Sequence, residues 1–258
     1  MTAVFLIART VILEAIRRRE VYAIILATSL AIGAIGSIRF FNIPELGKFY
    51  HEIALKIMGL ASTVTVIILG ARQLPREFEH RTIYTLLARP IHRGQFLAGK
   101  FLGVMGAGVF CYLLFTVVFL CGCVYLRARI YPGLLAQHLY LQVWMLAVVS
   151  SLAFTLSLLG NLDMAVTVSL LAYVLSSLFT AALTYLYNFM GAGMRGVLKI
   201  INYTVPQLAL FDLSGKVVHG EVWQPIPAWV IAVLTAYGAV YVGVFLSIGY
   251  LLFRRRAL

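Results

Sequence analysis

Six long apolar stretches constrain the fold of this chain more than any other feature of its sequence. They cover residues 21–38, 53–70, 97–126, 139–160, 164–188 and 228–253. An α-helix needs about 20 apolar residues to cross a hydrocarbon core about 30 Å thick. The stretches lack the strict alternation of apolar and polar residues that barrel strands show. We therefore predict an all-α polytopic membrane protein, with one transmembrane domain over residues 1–258 and six transmembrane helices.

The composition excludes a water-soluble globular chain. Hydrophobic residues make up 62% of the sequence and charged residues 12%, whereas soluble domains use about 45–50% and about 25%. The net charge of +12 does not indicate nucleic-acid binding, because the basic residues flank apolar stretches, where anionic lipid headgroups are their natural partners. Membrane lipid is therefore an expected partner, and nucleic acid is not.

The distribution of lysine and arginine predicts the orientation of the chain. If the N-terminus is inside, 13 of the 21 basic residues fall in the N-terminal tail, the second loop and the C-terminal tail. Cytoplasmic loops of membrane proteins are enriched in these residues. Both termini are therefore expected in the cytoplasm.

The first 20 residues have the pattern of an amphipathic helix. One helical face carries Val4, Ala8, Val11, Ile12, Ala15 and Ile16. The opposite face carries Arg9, Thr10, Glu14, Arg17 and Arg18. Such a helix lies in the membrane interface rather than across it, so residues 1–20 are predicted to lie on the inner leaflet.

The segment between the second and third stretches, residues 71–100, carries charges of both signs. Residues 77–88 have helical spacing, Pro75 precedes them and Pro90 ends them, as prolines often do at helix boundaries. This predicts a short cytoplasmic helix between spans 2 and 3. Two interpretations remain open: a helix that docks on a soluble partner, or a solvated connector whose arginines bind lipid headgroups.

Part of this segment resembles a known signature. Its residues are Arg76, Glu77, Thr82, Leu86, Leu87, Pro90, Arg93, Gly99 and Lys100. This order resembles the cytoplasmic signature of ABC transporter permeases of the type 2 export family, whose subunits have six spans. Arg81 departs from the pattern, since many members have glycine before the threonine. In that family the segment is the coupling helix that sits on the nucleotide-binding subunit.

The resemblance implies the permease subunit of an ABC exporter in the plasma or inner membrane of a prokaryote. Its implied partners are a separate ABC ATPase subunit, which would hold ATP and magnesium, and a second permease chain, identical or homologous. This chain itself would be no enzyme and hold no cofactor. The implied ATPase-coupling residues are Arg76, Glu77, Glu79, Arg81, Thr82, Leu86, Pro90, Arg93 and Lys100. Two other functions remain open: a membrane scaffold or assembly factor that recruits a cytoplasmic partner, and a secondary transporter.

Residues 94–101 imitate a phosphate-binding loop. They nearly match G-x-x-x-x-G-K-[ST], but Phe101 stands where a hydroxyl has to reach magnesium. Small residues on one helix face allow another helix to approach closely, which suits these glycines better. We predict two such helix-packing faces, formed by Gly99, Gly103 and Gly106 and by Ala239, Gly243 and Ser247.

Residues 188–227 form a long external loop in this topology, although they carry few charges. Residues 197–201 and 208–213 are apolar runs that are too short to span a membrane. They favour short helices that enter the membrane and return. The family resembled has such a re-entrant hairpin before its last span. The alternative is a folded external loop packed on the spans.

The sequence predicts neither a metal site nor a catalytic site. Cys111, Cys121 and Cys123 lie in one predicted span and point in different helical directions. The five histidines, at positions 51, 80, 92, 138 and 219, fall on different predicted loops. No nucleophile-base set or zinc-binding helix motif can be assembled from these residues.

Overall fold

The computed structural model describes residues 2–37, 46–79, 92–186, 191, 193–196 and 205–255. In this part of the chain all regular elements are helical, in agreement with the predicted all-α class. The long helices are α1 (Thr2–Ile16), α2 (Arg19–Ser37), α3 (Leu46–Glu79), α4 (Arg93–Tyr125), α5 (Pro132–Leu159) and α6 (Leu162–Leu186). A 3₁₀ helix (Leu208–Phe211), the short helix α7 (Ser214–Val218) and the long helix α8 (Ala228–Arg255) follow.

Five helices are long and apolar enough to cross a membrane: Gly47–Pro75, Arg93–Tyr125, Pro132–Leu159, Leu162–Phe179 and Ala228–Arg255. They correspond to the second to sixth predicted spans. The first predicted span, residues 21–38, corresponds to α2, which is not among these five. The count of six spans therefore stays a prediction, while the described residues contain five helices that could span a membrane.

Helix α5 lies at the centre of the bundle. It packs against α3, α4, α6 and α8, and 78% of its span is buried. At the other extreme, 6% of the α8 span is buried, since α8 packs mainly on α5. Apolar side chains are stable in lipid as well as in protein, so an exposed apolar helix is compatible with a membrane environment.

Helix α3 extends beyond its apolar stretch and corrects the predicted position of a helix boundary. It has 34 residues and contains Pro75 in its interior, although Pro75 was expected to precede a separate helix. At 1.5 Å per residue the helix is about 50 Å long, so it exceeds the hydrocarbon thickness. Pro75 cannot donate a backbone hydrogen bond to the carbonyl of Ala71, which weakens the last turns without ending them.

Residues 205–227 pack on the spans at the end of the bundle where α3 begins. The 3₁₀ helix contacts α5 and α6, and α7 contacts α3 and α5. Leu208, Phe211 and Leu213 are buried in a cluster with α5 residues. The predicted run at residues 208–213 therefore covers the bundle, whereas the run at 197–201 lies outside the described residues. Entry of this loop into the membrane stays a prediction.

Candidate functional site

The predicted coupling residues are only partly covered by the structure. Arg81, Thr82, Leu86 and Pro90 lie outside the described residues. Arg76, Glu77 and Glu79 belong to the backbone of the last turns of α3. Arg93 and Lys100 lie in the first turns of α4. The described site is therefore the α3–α4 junction, which we define as residues 71–79 and 92–103. We call residues 80–91, which connect these two parts of the chain, the coupling segment.

A buried apolar cluster, here called the basal cluster, connects this junction to the rest of the bundle. It draws side chains from five helices, α1, α3, α4, α5 and α8. Its members are Ile7, Leu74, Phe96, Leu97, Phe154, Leu158 and Phe253. The rings of Phe96 and Phe253 stack with centroids 6.1 Å apart. Because packed interiors transmit displacement rather than absorb it, both chain segments that enter the coupling segment are mechanically tied to this end of the bundle.

Lys100 is buried within the junction. Its side chain is 6% exposed, and its Nζ donates a hydrogen bond to Oε1 of Gln73 at 3.4 Å. The same ammonium lies 5.8 Å from the centroid of the Phe96 ring, within range of a cation–π interaction. Lys100 therefore joins α4 to α3 inside the bundle, and does not offer its charge to an external surface.

Two further polar contacts tie neighbouring helix ends to the junction. Arg93 donates from Nη1 to the backbone carbonyl of Arg254 at 3.4 Å. This carbonyl lies in the last turn of α8, where the negative end of the helix dipole favours a cation. Arg72 of α3 forms an ion pair with Glu20 at the start of α2. The α3–α4 junction is thereby linked to α2 and α8 as well.

Helix α1 lies directly against the small residues at the start of α4. A Cβ at Gly99 would lie 3.0 Å from the carbonyl oxygen of Val4, and one at Gly103 would lie 2.9 Å from that of Ala8. At Gly106 it would lie 2.8 Å from Cδ1 of Ile12. The three glycines predicted to allow helix packing therefore face one helix, α1.

The buried residues of α1 belong largely to its predicted apolar face. Ala8, Val11 and Ala15 are buried, whereas Arg9 and Glu14 are exposed. This division has the helical period that the sequence shows. The apolar face covers α4, and the placement of α1 on the inner leaflet stays a prediction.

The small residues of α8 behave differently. Ala239, Gly243 and Ser247 are exposed, and a Cβ at Gly243 would meet no atom within 4 Å. Within the chain, the close contacts of α8 are made by Gly238 with Trp144 and by Gly249 with Thr155. Helix packing at Ala239, Gly243 and Ser247 therefore requires a second chain, which stays a prediction.

The sequence that imitates a phosphate-binding loop is helical. Residues 94–101 lie in the first turns of α4, so they do not form the glycine-rich loop that the nucleotide motif needs between strand and helix.

Two histidines also differ from their predicted places in loops: His51 lies within α3 and His138 within α5. Both helices begin before their apolar stretches, which is why the apolar pattern placed these residues outside the spans.

The sequence comparison agrees with this architecture. The family profile described as ABC-2 family transporter protein matches residues 5–258, which is nearly the whole chain. The chain belongs to the ABC-2 transporter permease family. A comparison with curated proteins finds no match. This ABC-2 chain is thus a multi-pass membrane protein and a transport component rather than a catalytic one.

Several residues that build the α3–α4 junction of this ABC-2 permease were not found by sequence reasoning. Gln73 and Phe96 contact Lys100, and Phe253 stacks on Phe96, but none of the three belongs to a recognisable motif. The spacing of Gln73 relative to Arg72 and Arg76 gives no sign that its amide faces Lys100. Only the packing of α3 on α4 reveals this contact.

Proposed function

We propose that this chain is the permease subunit of an ABC exporter, driven by a separate ATPase subunit that docks on the segment between α3 and α4. The contact between Lys100 and Gln73, beside Phe96 of the basal cluster, is the observation that carries the proposal. It joins the two helices that flank the coupling segment. A force applied to that segment would therefore move α3 and α4 together.

The route from the segment to the other helices follows the contacts of the junction. Phe96 would carry movement to α8 through Phe253, and Gly99 and Gly103 would carry it to α1. Closure of two ATPase subunits on ATP binding would push the segments of two permease chains. Shear and rotation of packed helices are established ways to convert such a local push into a change of access.

Two permease chains are part of the proposal. One bundle leaves the α8 face largely exposed, with Gly243 open to a neighbour. A dimer with two-fold symmetry is the commonest assembly of identical protein chains. In such a dimer the transport path would run along the interface between the two permease chains. The excess of basic residues at the termini and in the second loop supports a cytoplasmic position for the α3–α4 junction.

The docking test uses co-expression with the ATPase encoded beside this chain. Glu77→Ala and Thr82→Ala should each reduce the co-purified ATPase and the ATP hydrolysis that the complex couples to transport. Glu221→Ala is the matched control, because this exposed carboxylate pairs with Lys48 near the opposite end of the bundle. Normal ATPase binding together with normal coupled hydrolysis in both docking variants would refute the coupling assignment.

The same preparation separates the other functions. A scaffold predicts that the ATPase binds but that its hydrolysis rate does not respond to the permease in nanodiscs. A secondary transporter predicts no ATPase binding and transport that depends on an ion gradient. The exporter predicts both binding and a change in hydrolysis.

A further inference from the structure

A largely apolar cavity opens among α3, α5, α6 and the 3₁₀ helix, at the end of the bundle opposite the α3–α4 junction. Its volume is about 280 Å³. The lining combines apolar residues, among them Leu55, Leu60, Met145 and Leu208, with polar ones. The volume lies at the lower limit of small-molecule sites, which hold about 300–1,000 Å³. It suits a polar headgroup or a compact part of a larger molecule.

Among the described residues, two that line this cavity carry a buried nitrogen without a hydrogen-bond partner. His138 and Gln142 stand one helical turn apart on α5 and are each 2% exposed. The Nε2 atoms of both are buried and accept or donate no hydrogen bond within the described residues. Buried polar atoms are nearly always paired in proteins. Two such atoms on residues that line one cavity therefore indicate a ligand.

The chemistry of both atoms is fixed by their surroundings. The backbone N–H of Leu213 donates to Nδ1 of His138 at 3.3 Å. Since Nδ1 accepts, the proton of the neutral ring lies on Nε2, which is then a donor. The Nε2 amide of Gln142 can only donate. The cavity thus offers two hydrogen-bond donors, Nε2 of His138 and Nε2 of Gln142, which an acceptor oxygen of a ligand would satisfy.

A glycine leaves room beside the second donor. A Cβ at Gly59 would lie 3.2 Å from Nε2 of Gln142, and Gly59 itself lines the cavity. Its missing side chain leaves the space into which an acceptor atom can reach. This position provides a steric test that does not remove either donor.

The charges at the rim disfavour an anionic ligand. Lys56 lines the cavity, but its ammonium pairs with Glu52 at 2.9 Å. Asp212 also lines the cavity with its side chain 46% exposed. A carboxylate at the rim repels an anion and favours a hydroxyl, an amide or a cation. Leu60, 47% exposed, provides an apolar surface beside the opening.

We propose that this cavity binds the uncharged or zwitterionic polar head of an amphipathic molecule, with an acceptor oxygen on His138 and Gln142. A hydroxyl, ether or carbonyl oxygen of the head accepts hydrogen bonds from Nε2 of His138 and Nε2 of Gln142. Its own donor faces Asp212, and its apolar part lies along Leu60. Binding is a property of this chain alone, so its failure would leave the proposed ATPase coupling untouched.

The first test measures binding of radiolabelled octyl glucoside, below its micelle concentration, to the full-length chain in phosphatidylglycerol nanodiscs, whose anionic lipid lies outside the proposed ligand class. The wild type should show a saturable component. Gln142→Leu removes one donor and Gly59→Ala obstructs it, and each should weaken this component about tenfold, as the loss of one hydrogen bond does. Ser151→Ala is the control, since this buried α5 hydroxyl bonds to the carbonyl of Val148. Size-exclusion profiles identify any variant that fails to fold.

Octyl phosphate, with the same chain and an anionic head, should bind more weakly than the glucoside. Equal or tighter binding of octyl phosphate would overturn the proposed ligand class. Equal glucoside binding by wild type, Gln142→Leu and Gly59→Ala, all folded, would overturn the site.

Native mass spectrometry of the extracted chain distinguishes the source of the ligand. An uncharged or zwitterionic lipid kept by the wild type and lost from Gln142→Leu supports a membrane lipid as occupant. Variant-sensitive glucoside binding without retained lipid supports an amphipathic molecule from solution. If neither arm depends on Gln142, the proposal is wrong.

Discussion

The ammonium of Lys100 lies 3.4 Å from Oε1 of Gln73, and both side chains are buried where α3 and α4 converge. This contact joins the two helices that flank the coupling segment. Lys100 thus carries its charge inside the bundle, at the point where α3 and α4 meet. The contact is well placed to keep the two helix ends in register when the segment moves.

Lys100→Met should separate coupling from folding. Methionine keeps the length of the side chain and its packing near Phe96, while the bond to Gln73 is lost. A buried polar group left unpaired costs about 1–3 kcal/mol, so we expect a folded chain with a lower unfolding temperature and normal ATPase binding. ATP hydrolysis coupled to transport should fall at least twofold. Lys216→Met, at the opposite end of the bundle over Trp223, is the control, and unchanged coupling in Lys100→Met would refute the role.

Gly103→Ala should displace α1 from α4. The new Cβ would lie 2.5 Å from Cβ of Val11 and 2.9 Å from the carbonyl of Ala8, and the backbone of α1 cannot give way locally. Overpacking of this kind costs about 1–3 kcal/mol. Gly33→Ala in α2, which meets no atom within 4 Å, is the control and should leave the free energy of unfolding unchanged or raise it by up to about 1 kcal/mol, because alanine has the higher helix propensity. Unfolding in mixed micelles and hydrogen exchange of α1 measure both effects.

Arg127→Gly should stabilise the chain. Arg127 follows α4 with φ of 51°, the left-handed conformation that glycine adopts without steric cost. The backbone N–H of Ala128 bonds to the carbonyl of Cys123, and that of Arg127 to the carbonyl of Val124. These bonds form the Schellman motif, in which glycine is usual.

The expected gain from Arg127→Gly is about 0.5–1 kcal/mol, measured as the free energy of unfolding. Arg129→Gly is the control, because Arg129 has no positive φ, and it should give no gain. A loss of stability in Arg127→Gly would show that the guanidinium contributes more than the strained backbone costs.

Gln137→Leu should loosen the connection before α8. The side-chain amide donates to the carbonyl of Ile226 and its oxygen accepts from the N–H of Ile226, both at 2.9 Å. Loss of both bonds leaves partly buried backbone groups unpaired, at a cost of about 1–3 kcal/mol. Gln137→Glu keeps the acceptor for the N–H but places a carboxylate oxygen against the carbonyl oxygen of Ile226, so it should be destabilised as well. Thermal unfolding and proteolysis around residues 223–227 measure both losses, and wild-type stability in both variants would contradict the prediction.

Local periodicity predicted some features of the α3–α4 junction and not others. The glycines at positions 99, 103 and 106 share one helix face for any packing partner, so their role was accessible from spacing alone. The identity of that partner, α1, was not. Pro75 shows the converse, because a proline usually ends a helix, yet the packing of α3 at Leu74 and Gln73 holds the helix together through it.

The ligand cavity illustrates the same limit. His138 and Gln142 have the i, i+4 spacing of one helix face, a signal that the sequence contains. Their meeting with Gly59 and Asp212 depends on two other parts of the chain, α3 and the residues after the 3₁₀ helix. Sequence spacing identifies neighbours within a helix, whereas a cavity arises between helices.

The sequence by itself determined the helical class and the positions of five helices that could span a membrane. The length of an apolar run and the need to satisfy backbone hydrogen bonds in lipid are local requirements. The sequence also determined the family, through the order of residues between the second and third apolar stretches. The tertiary structure decided which face of each span is buried. Gly238 and Gly249, rather than Gly243, face α5 from α8. Lipid and protein neighbours are both apolar, so the sequence of a span carries little information about which of them each face meets.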